Sequence, residues 1–368
     1  QVWKTSTYGL ATDRDNVWFA IVFASNATNE YEGAYVDKVT ISRTLIPYCY
    51  VSCSATVPTT TEGLHNALAP LNGQCRVAFE VGTQAQWIAG VVRPLAAEVQ
   101  VANPSRIPWL FRDGRKNDRL DARKLATLLY LQQLPTVHLP PADVSAWRAL
   151  INHRRSLIRR RTMIKNQIRA LLRSFNYRCP HKSCWTRVGR VWLRSLTFDA
   201  ARAVVITGLL AELDFVDGRR VRVEKQLEAI AASQPAVALL RTIPGVGPRT
   251  SEAIVAFADD IRRFPDRKRF GSYFGMTPTQ DASGRIDRHG HISKRGPSVV
   301  RWVLIEAVHR IVQHCPALRA YFERVQRGRK DRYKKALVAT GRKVLAIAFA
   351  LLRDGVAFDA GRVLGPVA

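Results

Sequence analysis

The chain predicts an α/β fold followed by an α fold, and three observations carry that prediction. Strand-like and helix-like stretches alternate up to about residue 135, a long amphipathic helical periodicity follows, and glycine turns join helical stretches in the last third. The predicted division is an α/β unit over 1–135, a linker with a basic helical, coiled-coil arm over 136–235, and a mostly helical C-terminal unit over 236–368.

In the first unit, 17–23 and 38–51 are β-rich, 59–71 has a helical pattern, and 76–80 alternates apolar residues until it stops at Glu80 with Gly82 just beyond. A further strand is predicted at 99–102 and a helix from Asp118. Pro140-Pro141 then interrupts the chain, because proline lacks the N–H that a helix or ladder needs. From 147 to 175, apolar residues recur every three or four positions, as on one face of a helix. The other faces carry Arg154, Arg155, Arg159, Arg160, Arg161, Lys165 and Arg169, a one-signed array that suits a phosphate backbone better than a merely solvated surface. A helical stretch at 221–232 is placed to pair with it as a coiled-coil arm that also makes a dimer contact. In the third region, Gly245 and Gly247 lie between helical stretches. Their bare backbones could approach a phosphate at a helix N-terminus, as in a helix-hairpin-helix module.

Charge sets the class of partner. Lysine and arginine number 57 against 29 acids, giving a net charge of +28 and a pI near 10.7, which favours polyanions and salt-dependent binding. A hydrophobic content of 47% excludes a disordered basic tail. The apolar run 344–352 is too short to span a bilayer, and the first residues lack a signal-peptide layout. Six scattered cysteines, at 49, 53, 75, 179, 184 and 315, have no disulfide-framework spacing, so a reducing cytoplasm is expected. Cys179, His181 and Cys184 lack the second ligand pair of a zinc finger.

Candidate chemistry centres on Asp118 and Asp121, which share a helix face at a spacing of three. Two carboxylates aimed at one spot suit a hard divalent cation such as Mg2+; alternatively, both stabilise the positive end of the helix dipole. Glu80, at the C-terminal edge of a strand, could join them. Such clusters hold two ions roughly 4 Å apart, one activating the attacking oxygen and the other stabilising the leaving oxygen of a phosphodiester. Ser283 lies in a polar loop near Arg285, Arg288, His289, Lys294 and Arg295; its oxygen could attack phosphorus while arginine forks neutralise the phosphate. A turn serine is the competing reading.

Taken in order, Phe79-Glu80, the run 117–126 from Asn117 to Ala126, Ile243-Pro-Gly-Val-Gly247, Tyr273-Phe-Gly-Met-Thr-Pro278, Ser283-Gly284 and Ile292-Ser-Lys-Arg-Gly296 followed by Arg301 resemble the DEDD transposases of the one-ten family of bacterial insertion sequences. The resemblance covers about 59–360. It implies a RuvC-like, RNase H-type domain binding Mg2+ through four carboxylates, a helical arm, and a C-terminal transposase domain. Glu80, Asp118 and Asp121 match the second to fourth acids, and Ser283 matches a serine implied to form a covalent phosphoserine link to DNA. The implied partners are donor DNA, target DNA and a structured noncoding "bridge" RNA made by the element. The implied assembly is a homodimer pairing into a tetramer, and the implied setting is the bacterial cytoplasm at the nucleoid. The family's opening Gly-Ile-Asp motif is absent, and Asp37 is the substitute first acid, ahead of Asp13 and Asp15. The implied function is Mg2+-dependent DNA strand cleavage and exchange for an insertion sequence. Competing readings are a junction-resolvase-like metal nuclease using water, and a nucleic-acid-binding protein whose catalytic site has decayed.

Overall fold

The computed structural model describes residues 17–23, 38–44, 53–71, 73, 75–108, 118–283 and 286–361. The chain forms two compact units, Gln1–Pro140 and Pro141–Ala368. It combines an α/β unit with a helical one.

The first unit is built on a five-stranded sheet. Its strands are β1 (Val17–Phe23), β2 (Lys38–Thr44), β3 (Cys53–Pro58), β4 (Cys75–Glu80) and β5 (Glu98–Ala102), in the order β3-β2-β1-β4-β5. β1 runs antiparallel to β2 and parallel to β4, with Phe23 opposite Val39 and Ile21 opposite Phe79. β4 runs parallel to β5, ending with Glu80 opposite Ala102. Parallel neighbours need crossovers, and α1 (Thr61–Leu68) precedes β4 while α2 (Ala85–Val92) joins β4 to β5. The alternation of β4 assigns its two faces. Cys75, Val77 and Phe79 pack with Leu64, Leu68, Ile88 and Val92, whereas Ala78 packs with Ala122, Leu125, Ala126 and Leu129 of α3 (Asp118–Tyr130).

Of the β-rich stretch expected over 38–51, β2 takes up Lys38–Thr44 and 45–51 lies outside the described residues, while β3 (Cys53–Pro58) is a strand the sequence reading did not expect. The helix expected over 59–71 covers Thr61–Leu68 and tightens into a 3-10 turn at Ala69–Leu71. Thr60 starts it, its hydroxyl accepting the Gly63 N–H at 3.0 Å.

In the second unit, α4 (Ala142–Ser174) and α6 (Ala200–Ala232) are antiparallel helices of 33 residues each, with α5 (Arg187–Ser195) beside them. Leu157, Ile164, Ile168 and Leu172 meet Leu193, Ile206, Leu213 and Val216 in their shared core. α6 begins well before the helical stretch expected at 221, because Asp199 caps it by accepting the Arg202 N–H at 3.1 Å. Its buried positions between 200 and 220, Ile206, Leu213 and Val216, are too sparse to show a plain periodicity.

The remainder packs around Phe270, Phe274, Ile254, Leu304, Val344 and Leu345. It comprises α7 (Pro235–Leu240), α8 (Pro248–Ala258), α9 (Arg267–Tyr273), the hairpin β6 (Pro278–Ser283) and β7 (Ile286–Ile292), then α10 (Ser298–His314), α11 (Pro316–Gln326) and α12 (Tyr333–Asp354). Trp147 and Ile151 of α4 belong to this core, which roots the helical pair in it. Among the described residues no helix is long and apolar enough to cross a membrane.

Candidate active site and nucleic-acid interface

Glu80 ends β4 two residues after Ala78, so strand alternation puts it on the α3 face of the sheet. Asp118 and Asp121 occupy the first turn of α3, and all three carboxylates are half-buried. Asp37 lies outside the described residues. Lys38, which follows it, begins β2 at the edge where β1 and β4 end, because Phe23 pairs with Val39 and Ile21 with Phe79. Among the described residues no three Asp, Glu, His or Cys side chains are gathered closely enough to hold an ion.

The sequence reading missed Lys124. It is buried on α3 beside Ala122, Leu125 and Ala126, with its ammonium 3.8 Å from the Asp121 carboxylate. A lysine three residues after Asp121, among positions that pack inward, was the available signal.

Ser283 is the last residue of β6 and pairs with Ile286, so a β-hairpin carries it rather than an irregular loop. Arg285 lies outside the described residues. At the hairpin base, Ser293 N–H donates to Thr277 O at 2.9 Å and Lys294 N–H to Gly275 O at 3.2 Å. The Arg301 guanidinium then joins the two segments, reaching Phe274 O at 3.0 Å, Arg295 O at 2.7 Å and Gly296 O at 3.2 Å. Arg288, Lys294 and Arg295 remain exposed.

The two hairpin glycines between α7 and α8 differ. A side chain on Gly245 would lie 2.6 Å from the Ile311 backbone, so α10 occupies that space. Gly247 caps α8 with a torsion any residue adopts, and nothing lies within 4 Å of where its side chain would be. The open backbone there is Gly247's.

The basic face of α4 is answered by acids of α6. Arg154 pairs with Glu224 at 2.7 Å, Arg160 with Glu212 at 2.7 Å and Arg161 with Asp217 at 2.6 Å, while Arg190 bonds Asp214 and Asp217. Burial works to raise the Asp217 carboxyl, but the Arg161 and Arg190 hydrogen bonds outweigh it and hold it low. Lys165 and Arg169 lie over the Trp185 ring at 4.6 and 5.4 Å, and burial, aided by Arg161, pulls the Lys165 ammonium down to about 8. Arg155 donates to the Ser298 hydroxyl at 2.6 Å and sits near Trp302. Exposed Arg159 has no hydrogen-bond or ion-pair partner among the described residues. With Arg155, Met163, Gln167 and Trp302 it lines an open trough of about 730 Å³.

Glu252, on α8, is 1% exposed and pairs with Arg249 at 3.0 Å. Burial pushes its carboxyl up to about 7 against the pull of Arg249 and Arg154. A raised carboxyl costs stability when it ionises. The cost is absent below the ordinary value of 4.5, grows up to about pH 7 and stays constant above it. Glu252→Gln is therefore expected to stabilise the protein at pH 8 by up to about 3 kcal/mol and to add nothing at pH 4.5. Urea melts of both forms at the two pH values check it, and an equal difference at both would refute the burial argument.

Cys179 and Cys184 are half-buried free thiols, and burial, then Cys179, pushes Cys184 up to about 11.

Comparison with known proteins agrees with these elements. Residues 51–177, which include Glu80, α3 and all of α4, match a family described as a transposase of the DEDD type named for IS110. Residues 237–323, from α7 through the hairpin and α10 into α11, match the transposase IS116/IS110/IS902 family. A probable family 20 transposase of Pseudomonas aeruginosa is 28% identical over 252 residues, covering 66% of this chain and 72% of that protein. The putative transposase y4rJ of Sinorhizobium fredii is 28% identical over 316 residues, covering 77% and 78%. The transposase for insertion sequence element IS1111A of Coxiella burnetii is 26% identical over 258 residues, covering 68% and 69%. Two matched segments of one kind, in the same order as the α3 acids and the hairpin, leave one assignment: the chain belongs to the IS116/IS110/IS902 family of transposases and is a DNA transposase.

Proposed function

We propose that this transposase cleaves and exchanges DNA strands with a RuvC-like, RNase H-type acidic site and a serine nucleophile, guided by an RNA from its own insertion sequence. The observation that carries the reading is the placement of Glu80 on the sheet face packed by α3, whose first turn bears Asp118 and Asp121. In support of the fold assignment, β1 lies centrally between antiparallel β2 and parallel β4, so the acids approach one edge. Asp37 is the proposed fourth ligand, since Lys38 begins its strand at that same edge.

Carboxylate oxygens fit Mg2+, a hard ion. Mg2+ bound there supplies charge that activates the attacking oxygen and stabilises the leaving one. The chain's own residues do the rest. Glu80, Asp118 and Asp121 would hold the ions. Lys124 balances their charge without them, and Ser283 Oγ, at the tip of a hairpin whose base Arg301 ties down, gives up its proton and bonds to phosphorus as the ester oxygen of the cut strand leaves, taking up a proton. Arg285, Arg288, Lys294 and Arg295 neutralise the phosphate.

Donor and target DNA and the RNA are the proposed partners. Gly247 offers open backbone to a phosphate, and Arg155, Arg159, Lys165 and Arg169 remain proposed contacts on the arm. Because Arg154, Arg160 and Arg161 already hold α6, their role in binding is proposed to be secondary. Homodimers pairing into tetramers are proposed through the arm, where Phe215, Val204 and Val221 are exposed. The proposed setting is the bacterial cytoplasm at the nucleoid.

The test is incubation with Mg2+, the element RNA and a labelled duplex. Asp121→Asn is expected to lose strand cleavage by at least about 100-fold while binding DNA normally in EDTA. Undiminished cleavage by that variant would remove α3 from the site.

A further inference from the structure

Arg154, Arg160 and Arg161 of α4 are met by acids of α6, but another cationic segment is not answered in this way. Residues 327–335, Arg-Gly-Arg-Lys-Asp-Arg-Tyr-Lys-Lys, join α11 to α12 and carry six cations and one acid. The Asp331 carboxylate is engaged by Arg329 at 2.9 Å, and Arg327, Lys330, Arg332, Lys334 and Lys335 have no acidic partner among the described residues. All but Arg332 of these are exposed.

The segment is held in one shape. Arg327 and Gly328 are consecutive left-handed residues (φ 54° and 67°), and the turn is tied by Arg327 N–H to Glu323 O at 2.8 Å and Arg329 N–H to Gln326 O at 3.1 Å. The Tyr333 hydroxyl shares a 3.1 Å hydrogen bond with His309 Nδ1, and its ring meets Phe322 edge-on at 5.6 Å.

Its charges oppose the local electrostatics. The N-terminus of α12 has no acid in its first turn and no side-chain cap, yet Lys334 and Lys335 stand in that turn, with Lys330 and Arg332 just before it. Cations at the positive end of a helix are opposed by its dipole, an opposition that an arriving anion relieves. α6 and α9, by contrast, are capped by Asp199 and Asp266. The segment also lacks the cluster of apolar anchors that a protein partner would need.

We propose that residues 327–335 form a second DNA-contacting surface, gripping backbone phosphates of duplex DNA independently of the acidic site. The segment lies beyond the matched residues 237–323.

The experiment measures duplex affinity of the full chain against salt in EDTA, where cleavage plays no part. The variant is Lys330→Gln/Lys334→Gln/Lys335→Gln. Its control, Arg202→Gln/Arg262→Gln/Arg353→Gln, removes equal charge from exposed cations already paired with acids at 2.6, 3.0 and 2.7 Å. The expected result is a fall of about tenfold or more at 0.1 M salt and a salt slope shallower by about 0.9 per lost contact, in the first variant only. Thermal melts of both variants accompany the titrations, and the first should melt no lower than the parent because it removes opposed charge. Equal losses in both variants would overturn the proposal, as would loss of binding to a structured RNA with duplex binding intact. Retained duplex binding with defective cleavage would also overturn it.

Discussion

Ser283→Ala is expected to abolish the covalent protein–DNA adduct and lower strand exchange by about three or more orders of magnitude, while duplex binding stays within about twofold. The asymmetry follows from chemistry. Removing Oγ deletes the atom that would bond to phosphorus, but alanine suits the extended backbone that ends β6 opposite Ile286. A denaturing gel resolves the adduct, and a parallel reaction with Asp121→Asn should also lack it, because no strand is activated. The two variants then separate under a second assay. Ser283→Ala should still show metal-dependent protection of the acidic site, which Asp121→Asn should lose. If Ser283→Ala cut DNA at the parent rate, water would be the nucleophile and the chain would act as a metal nuclease on this step.

The largest structural effect is expected at Gly245. Its φ of +86° suits glycine alone, and an added Cβ would stand 2.6 Å from the Ile311 N and Cα atoms and 2.8 Å from the Arg310 carbonyl carbon. These are backbone atoms of α10 and cannot rotate away. Gly245→Ala should cost about 2–4 kcal/mol, combining left-handed strain with overpacking. Gly247→Ala should cost under about 1 kcal/mol, since its torsion is ordinary and the space around it open. Urea midpoints of the two variants measure the difference. If both lost the same stability, α10 would not be seated as described. In that case the strict demand for glycine at 245 would come from elsewhere.

Much of the fold could be read from local pattern because the pattern has one meaning there. The alternation of 76–80 stops at Glu80, and the structure ends β4 at that residue. The three- and four-residue spacing after 147 became α4, since a single apolar stripe had to be buried. The serine hairpin was less legible, because its sequence is mostly polar and lacks an apolar alternation, and so resembles a loop. α6 was seen only in its last third, because the few side chains it buries against α4 are widely spaced. The arginine face of α4 was read as free for phosphate. Within one helix it is one-signed, and the acids that meet it, Glu212, Asp217 and Glu224, lie 52 to 70 residues further along the chain.

The sequence by itself determined the family and the basic character and pointed to the candidate acids, because these depend on residue type and short spacing. Tertiary structure decided what each charge and each glycine is for. It brought acids to three arginines of α4, left most cations of 327–335 without an acidic partner among the described residues, set Lys124 beside Asp121, and pressed α10 against Gly245 but not Gly247. The physical reason is that electrostatic pairing and steric exclusion act through space over a few ångströms, whereas sequence records only distance along the chain.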